Sequence, residues 1–388
     1  MPSLRRLFLL DPDVVFLNHG SFGATPRLVF QVYQTWQRRL EHQPVKFLAT
    51  DLFDHLKHAR QALADFVHAD ADDLAFVPNT TFGINIVARS LNLGSGDEIL
   101  ATDHEYGACD NVWEFISRKT GASYVRQPIP LPAMSSDEIV EQLWNGVTPR
   151  TKVIFISHIT SPTALHLPVE AICQRAREAG ILTVIDGAHA PGQIPIDLGA
   201  IKADFYIGNC HKWLSAPKGS AFLYSDPDRQ KLVEPLVVSW GWGENATFTT
   251  GSRYLDNLQW WGTIDPSAFL SVPAAIQFQQ DHNWPAVRQR CHTLVGQAVR
   301  RICDLVGHAP LYPHDAGFYH QMAIAPLPAI PDLPAFKERL YEEYRVEVPC
   351  AQWKDQQFIR VSVQGYNTQV DIDRLVEALD DLLPRVTS

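Results

Sequence analysis

Hydrophobic residues recur along the first two thirds of the chain with two different spacings. Apolar positions at every third or fourth residue predict an amphipathic helix over about Leu52–Val67. Short apolar runs that end in polar residues predict buried strands at Leu74–Val77, Glu98–Thr102, Val153–Ser157, Leu182–Asp186 and Phe205–Gly208. Helical stretches separate several of these runs, as at Val169–Ala179, which ends at Gly180. The alternation predicts an α/β fold with a mostly parallel sheet covered on both faces.

The pattern changes at about residue 266. The elements expected beyond it are two long helices, a short strand and a last helix: Ser267–Gln280, Trp284–Val306, Phe358–Val363 and Val370–Leu383. The strand carries Arg360 in its middle, and Pro384 halts the last helix. We therefore predict a large domain over residues 16–265 and a smaller α+β domain over residues 266–388, with residues 1–15 grouped with the second.

Composition narrows the possible partners. The 388 residues carry 33 Lys and Arg against 43 Asp and Glu, a formal net charge of −10, without any run of like charges. General attraction to nucleic acid or to an anionic membrane is therefore not expected. The apolar run Leu7–Leu10 stops at Asp11, too short for the core of a signal peptide, and no segment reaches membrane-spanning length. The 6 cysteines lack framework spacing and the 15 histidines form no HExxH motif, so we expect a cytoplasmic protein without a metal site.

Two charged residues lie at the ends of predicted strands, where parallel sheets place ligand-binding groups. Asp186 ends one strand, and Lys212 follows the next strand 26 residues later (212 − 186 = 26). A structural ion pair is one explanation, although buried pairs are often not net stabilising. The other is chemistry: a desolvated lysine forms an imine, and an aspartate opposite a pyridine nitrogen keeps that ring protonated.

The segment from Val77 to Asn85 is a strand, a polar turn and the start of a helix. Thr80 and Thr81 at this turn have the hydroxyls and backbone N–H groups that hold a phosphate at a helix N-terminus. Capping of the helix is the simpler explanation of the two threonines taken alone. Together with Asp186 and Lys212, the phosphate site becomes the favoured interpretation.

Several motifs along nearly the whole chain resemble a known family. They are Asp186-Gly187-Ala188-His189-Ala190, Asn209-Cys210-His211-Lys212, Phe16-Leu17-Asn18-His19-Gly20-Ser21-Phe22-Gly23, Glu105-Tyr106-Gly107-Ala108, Ser157-His158-Ile159-Thr160-Ser161-Pro162-Thr163 and Arg360-Val361-Ser362 with Tyr366-Asn367. The first two look like the class V aminotransferase superfamily of pyridoxal 5′-phosphate (PLP) enzymes, which includes the group II cysteine desulfurases. The others are most similar to isopenicillin N epimerase-like proteins. The resemblance implies PLP as cofactor and fold type I, in which a seven-stranded, mostly parallel sheet lies between helices beside a small α+β domain.

The resemblance also implies a role for individual residues. Lys212 would carry PLP as an internal aldimine and move the Cα proton of an amino-acid substrate. Asp186 would pair with the pyridine nitrogen, and His189 would approach the phenolic oxygen. The expected phosphate ligands are Thr80, Thr81, Asn209 and His211. Tyr106 would stack on the ring, and Arg360 would hold the substrate carboxylate.

Further residues are implied near the ring, the substrate or a second subunit. Ser161, Asn18 and His19 are the candidates near the ring or substrate. Family members are typically homodimers with shared active sites, so Thr263 would reach the phosphate of the neighbouring subunit.

The sequence leaves the reaction open. PLP enzymes abstract a Cα proton and then epimerise, eliminate a β-substituent or transaminate, depending on the surrounding protein. Epimerisation needs an acid/base group on each face of Cα; Lys212 serves one face, and His19 is a guess for the other. A desulfurase needs a mobile cysteine, for which Cys350 is the candidate, although a packing role is favoured. An epimerase-like enzyme is the main hypothesis, a desulfurase or C–S lyase the second, and a non-catalytic PLP sensor the third.

Overall fold

The strands of the chain form three sheets. The structure is a computed structural model and describes residues 3–132, 135–244, 246–313 and 316–386. The strands are β1 (Val15–Phe16), β2 (Leu74–Val77), β3 (Glu98–Thr102), β4 (Ser123–Gln127), β5 (Thr151–Ser157), β6 (Leu182–Asp186), β7 (Phe205–Asn209), β8 (Ala221–Ser225), β9 (Met322–Leu327), β10 (Val346–Glu347), β11 (Cys350–Trp353) and β12 (Gln356–Ser362).

The helices lie between and around these strands. They are α1 (His19–Phe22), α2 (Arg27–His42), α3 (Pro44–Lys46), α4 (Leu52–Val67), α5 (Thr80–Ser90), α6 (Gly107–Thr120), α7 (Ser136–Trp144), α8 (Val169–Glu178), α9 (Leu198–Ile201), α10 (Arg253–Gln259), α11 (Ser267–Leu270), α12 (Val272–Asp281), α13 (Trp284–Val306), α14 (Leu333–Tyr344) and α15 (Gln369–Leu382). None of the helices in the described part of the chain is long and apolar enough to cross a membrane.

The largest sheet has seven strands in the order β2-β8-β7-β6-β5-β3-β4. The five strands from β7 to β4 in this order run parallel, whereas β8 is antiparallel to both of its neighbours. Helices α5 to α9 connect successive strands from β2 to β7. The predicted α/β class, with a mostly parallel sheet between helices, is confirmed.

Both faces of this sheet are buried because neighbouring residues of a strand point to opposite sides. In β5, Ile154 and Ile156 pack into one hydrophobic cluster, whereas Val153 and Phe155 pack into another on the opposite face. All four side chains are fully buried. This double burial accounts for the near-continuous apolar runs in the sequence.

The C-terminal part contains a three-stranded antiparallel sheet with β12 in its middle, between β11 and β9. The N-terminal residues join this part, since β1 pairs in parallel with β10 and the Leu4 N–H donates to the Gly365 carbonyl at 3.0 Å. One hydrophobic cluster includes Ile154 of the large sheet and Ile324 of the small one. Because the core is continuous, a domain boundary after residue 265 stays a prediction.

Two features differ from the sequence-based expectations. Strands β4 and β8 were not predicted; β4 lies at the sheet edge and is only partly buried, while β8 runs against the parallel direction. The helix expected over Ser267–Gln280 is divided at Ser271 into α11 and α12. The division has a steric cause, because Pro273 lacks an N–H and its ring crowds the carbonyl four residues earlier.

Candidate active site

A cavity of about 450 Å³ opens at the carboxyl ends of the parallel strands. Ser157 and Asp186 are register partners at the ends of β5 and β6, and Asn209 ends β7. The loop after β7 adds Lys212 to the same wall. The predicted site residues that line the cavity are Thr80, Thr81, Tyr106, Ser161, Asp186, His189, Asn209, His211 and Lys212. Residues that are up to 132 positions apart in sequence (212 − 80 = 132) therefore meet at one sheet edge.

The buried amine of Lys212 loses its proton more readily than a solvated lysine does. Burial lowers its pKa from 10.5 to about 8; the carboxylate of Asp186 opposes this shift and Arg360 adds to it. The Lys212 Nζ atom lies 3.1 Å from His189 Nε2. Indole nitrogens only donate, and Trp213 Nε1 donates to His189 Nδ1 at 3.2 Å, so Nε2 of the neutral imidazole carries the proton. Nε2–H can then donate to Nζ when the amine is neutral, because only a neutral amine accepts a hydrogen bond.

Asp186 is buried without a cationic partner. Burial raises its pKa, while the Ala188 N–H, which donates to Oδ1 at 2.8 Å, opposes the rise. The thiol of Cys109 donates to Oδ2 at 3.5 Å. Among the described residues no ion pair joins Asp186 to Lys212. The structural ion pair considered from the sequence is therefore wrong, and Asp186 fits a protonated ring nitrogen.

The first turn of α5 forms another wall. Asn79, not either threonine, is its N-cap, with the side-chain oxygen accepting from the Phe82 N–H at 2.9 Å. The simple capping explanation of Thr80 and Thr81 is therefore wrong. The Thr80 N–H donates to Asn209 Oδ1 at 3.0 Å, whereas the buried Thr80 hydroxyl has no partner within the described structure. An unpartnered buried hydroxyl at a helix N-terminus fits a phosphate group.

His211 lies on the same side of the cavity as a neutral ring. Burial lowers its pKa to about 4, and its Nδ1–H donates to the Ser220 carbonyl at 2.9 Å. The neutral tautomer leaves Nε2 without a proton, so this nitrogen accepts from a protonated phosphate oxygen or from water.

Arg360 is a buried cation directly behind the cavity wall. Its guanidinium donates to the Ser161 carbonyl, to Ser161 Oγ at 3.1 Å and to Ser21 Oγ at 3.3 Å. Its Nε–H has no partner, and no carboxylate pairs with it in the described ranges. Burial lowers the pKa of Arg360 to about 10, so the group stays charged near neutral pH. A buried guanidinium without a counterion fits a carboxylate ligand.

Besides Arg360, which lies behind the wall, three predicted residues do not line this cavity. Asn18 donates to Glu347 Oε1 at 2.8 Å and accepts from the Ser21 hydroxyl. His19 is buried behind the Lys212 loop, with Nε2 at 3.0 Å from the Lys212 carbonyl, and burial lowers its pKa to about 3. Thr263 is exposed and lies outside the cavity lining. Their assigned roles stay predictions.

Some residues with evident roles were not assigned from the sequence. Trp213 fixes the tautomer of His189, and Ser21 bridges Asn18 and Arg360. Glu105, next to Tyr106, accepts from Thr102 Oγ1 at 2.6 Å and from the hydroxyl of Ser157 at 2.6 Å; burial raises its pKa to about 8. Ser21 and Glu105 lie within the quoted motifs and Trp213 directly follows one, and these positions were the only sequence signal.

Cys350 is placed as a packing residue. It pairs with Ile359 at the start of β11, is partly buried, and does not line the cavity. Burial raises the pKa of its thiol to about 12, which removes the reactive thiolate near neutral pH. Within the described residues no group of three or more His, Cys, Asp or Glu side chains could hold a metal ion.

The fold and this constellation define a PLP-binding enzyme, and the family comparison agrees. The model of the family described as aminotransferase class-V matches residues 24–323, so the chain belongs to that family. The family is PLP-dependent. This protein is accordingly an enzyme that uses PLP and acts on an amino acid.

Individual relatives are similar over nearly their whole length. Isopenicillin N epimerase of Amycolatopsis lactamdurans is 38% identical over 391 residues, covering 98% of each chain. A putative L-cysteine desulfhydrase of Oryza sativa subsp. japonica is 29% identical over 415 residues, covering 96% of this chain and 84% of its own. Among solved structures, a mutant of C-DES with glycine covalently linked to its PLP cofactor has a TM-score of 0.82 at 22% identity, covering 98% of this chain and 100% of that one. At that identity the structural similarity supports the fold alone.

Proposed function

We propose that this enzyme removes the Cα proton of an amino acid and returns a proton with inversion, as an epimerase does. The observation that carries the proposal is the buried amine of Lys212, which lies in the cavity wall 3.1 Å from His189 Nε2. Burial lowers the pKa of Lys212 to about 8, close to the pH at which a general base works best. The 38% identity to an isopenicillin N epimerase supports this outcome over the other PLP reactions.

The residues around Lys212 would orient the cofactor and the proton. PLP, when bound, delocalises the electron pair that remains at Cα after the proton leaves. The buried carboxylate of Asp186 would keep the ring nitrogen protonated. The Nε2–H of His189 would donate to the phenolic oxygen, since Trp213 already occupies Nδ1. Lys212 would accept the proton from one enantiomer and, in the reverse reaction, donate it on the same side of Cα. Inversion also requires a proton from the opposite face of Cα.

The opposite end of the site would hold the phosphate. Its ligands would be the hydroxyls of Thr80 and Thr81, the side chains of Asn209 and His211, and the N–H groups at the start of α5. The unpartnered Thr80 hydroxyl supports this assignment. The helix dipole adds favourable interaction with the phosphate charge.

Arg360 would bind the substrate carboxylate. Ser161 and Ser21 fix its guanidinium, and its Nε–H has no partner in the described structure. Tyr106 would stack on the ring from the cavity mouth, where its side chain is 47% exposed. Asn18 and His19 would act as positioning residues, the first through Ser21 and the second through the Lys212 carbonyl.

The test follows the fate of the Cα hydrogen. Purified holoenzyme is incubated in D₂O with a panel of L- and D-amino acids, including cysteine and its S-conjugates. NMR measures deuterium at Cα, and chiral chromatography measures inversion. Deuterated product of both configurations supports the proposal. Exchange without inversion would contradict the epimerase assignment, and binding of an amino acid without turnover would instead support a PLP sensor.

A C–S lyase is the second candidate, and the 29% identity to a putative L-cysteine desulfhydrase favours it. Such an enzyme releases sulfide from cysteine and needs no sulfur-accepting thiol. The high pKa of Cys350 and its position outside the cavity fit a lyase better than a desulfurase. Sulfide, pyruvate and ammonia formed from L-cysteine, without racemised substrate, would favour the lyase.

The oligomer and the cellular location belong to the same proposal. A homodimer in the cytoplasm would allow Thr263 to reach the phosphate bound by the neighbouring subunit. The exposed side chains of Val238, Trp240 and Trp242 provide an apolar surface for such a contact. Size-exclusion chromatography with light scattering should give the holoenzyme twice the mass of one chain. A monomer with full activity would exclude a shared site.

A further inference from the structure

A second cavity of about 430 Å³ lies away from the active site. One wall is the first half of α13, where Pro285, Arg288, Gln289 and His292 follow the spacing of a single helix face. The facing wall contains His320, just before β9. No lining residue is shared with the active-site cavity.

The charge on this cavity is positive and uncompensated in the described structure. Arg288 is partly buried, and none of the hydrogen bonds or ion pairs among the described residues engages its guanidinium. Burial lowers its pKa. The described lining residues include no aspartate or glutamate. An anionic ligand would stabilise a partly buried guanidinium that has no counterion.

Hydrogen bonds within the protein fix the rings of His292 and His320 in the cavity. His292 Nδ1 donates to the His320 carbonyl at 3.1 Å, which fixes its ring orientation. His320 Nε2 lies 2.9 Å from His166 Nδ1, which fixes the second ring. Burial lowers the pKa of His320 to about 3, and the charges of His166, His292 and Arg288 add to that shift. The ring of His320 is therefore neutral, and Arg288 provides the permanent positive charge.

The position on α13 adds a second favourable field. The lining residues lie in the first nine positions of a helix of 23 residues, whose N-terminal end carries the positive end of the helix dipole. Gln289 adds an amide group to the same cavity, whereas the amide N–H groups of Gln193 and Gln321 donate to other protein groups. Guanidinium, imidazole and amide groups around one concave surface make a site for a planar or tetrahedral oxyanion.

We propose that this second cavity binds a small ligand through a carboxylate or phosphate group held by Arg288. The site is separate from the PLP site, and the inference does not depend on which reaction the enzyme catalyses.

The experiment measures oxyanion binding to the PLP-saturated holoenzyme. Sodium phosphate and sodium acetate are titrated separately by calorimetry at constant ionic strength, balanced with sodium chloride. The cofactor absorbance is recorded in the same samples, because a loss of that band would reveal displacement at the active site. Arg288→Gln is compared with Arg300→Gln, an exposed arginine on the same helix that does not line the cavity.

The site is supported if the wild type binds an oxyanion saturably, if Arg288→Gln weakens that binding about tenfold or more, and if Arg300→Gln leaves it unchanged. The Arg288→Lys variant should retain part of the affinity, which separates lost charge from a folding defect. Binding of phosphate alone or acetate alone would identify the ligand group. Equal weakening by both glutamine variants, or no saturable binding of either anion, would overturn the proposal.

Asp315 lies outside the described residues, and the variant Asp315→Asn tests whether its carboxylate already neutralises Arg288. If phosphate or acetate binds only after this substitution, Arg288 belongs to an internal ion pair and the proposal is overturned. Unchanged affinity in Asp315→Asn would support a site that is open to an external ligand.

Discussion

The two larger sheets supply the active site in different ways. In the seven-stranded, mostly parallel sheet, β5 and β6 end at the register partners Ser157 and Asp186, and the loop after β7 adds Lys212. The three-stranded antiparallel sheet contributes Arg360 from the middle of its central strand β12, paired on both sides. The parallel sheet gathers several chemical groups at one edge. The antiparallel sheet instead fixes one side chain on a strand that cannot shift without breaking two ladders.

The two buried cations also respond differently to burial. Burial lowers the pKa of Lys212 to about 8 and the pKa of Arg360 to about 10. Near neutral pH the lysine is close to losing its proton, whereas the arginine stays charged. Similar desolvation therefore produces a base in one sheet region and a permanent anion-binding group in the other. The chemical step should depend on the first region and substrate affinity on the second.

Lys212→Ala should have the largest effect, because it removes the proposed base and the covalent attachment of PLP. We expect Cα-proton exchange to fall about 10⁴-fold or more. Borohydride treatment followed by mass spectrometry should find no PLP-modified peptide. Lys231→Ala, an exposed lysine outside the cavity, is the control and should behave as the wild type. A trapped PLP adduct on another lysine would refute the assignment.

Arg360→Ala should weaken substrate binding and leave cofactor binding intact. If the guanidinium binds the substrate carboxylate in a buried site, the loss should be about 2–5 kcal/mol. Spectral titration measures the apparent Kd for substrate, and the absorbance of the free holoenzyme reports PLP. Equal losses of affinity for PLP and for substrate would show that the two sheet regions do not have separate roles.

The sequence reveals the parallel-sheet part of the site more readily than the rest. Asp186 ends one apolar run and Lys212 follows the next, and the pattern alone shows where these runs end. The contact of Arg360 with Ser161 joins residues 199 positions apart, and its contact with Ser21 joins residues 339 apart. No local pattern encodes such contacts; only the resemblance to a family pointed to Arg360. The hydrogen bonds that join Trp213, His189 and Lys212 likewise depend on tertiary packing, which the spacing of apolar residues does not describe.

Gly23→Ala should disturb the Lys212 loop from the opposite side. Gly23 has φ +69° and ψ 166°, a conformation adopted almost only by glycine. A Cβ atom there would lie 2.0 Å from the His211 carbonyl oxygen and 3.0 Å from Lys212 Cα. We expect a loss of about 1–3 kcal/mol in unfolding free energy from backbone strain, together with weaker PLP binding.

Gly180→Ala is the matched control for this substitution. Gly180 also has a positive φ, +70°, but a Cβ atom there would meet nothing within 4 Å. It should cost stability without changing PLP affinity. Equal PLP affinity in the two variants would show that the contact with the Lys212 loop is unimportant.

The covalent attachment of PLP to the apoenzyme should depend on pH through Lys212. Burial lowers its pKa from 10.5 to about 8, so the amine is mostly protonated below pH 8 and mostly free above it. The attachment rate should therefore rise about tenfold per pH unit below pH 8 and level off above it. Stopped-flow absorbance measures the rate, with N-acetyl-lysine as the solvated reference. A midpoint near 10.5 would mean that the amine is not desolvated.

Cys350→Ser should have the smallest effect and tests the edge strand of the antiparallel sheet. Cys350 starts the edge strand β11 next to β12, but its thiol has a pKa of about 12 and does not line the cavity. Proton exchange and any sulfide release should match the wild type, and unfolding should change by less than about 1 kcal/mol. Lost sulfur transfer with unchanged stability would show that β11 carries a reactive group to the cavity. The antiparallel sheet would then contribute chemistry as well as binding, and the division between the two sheets would fail.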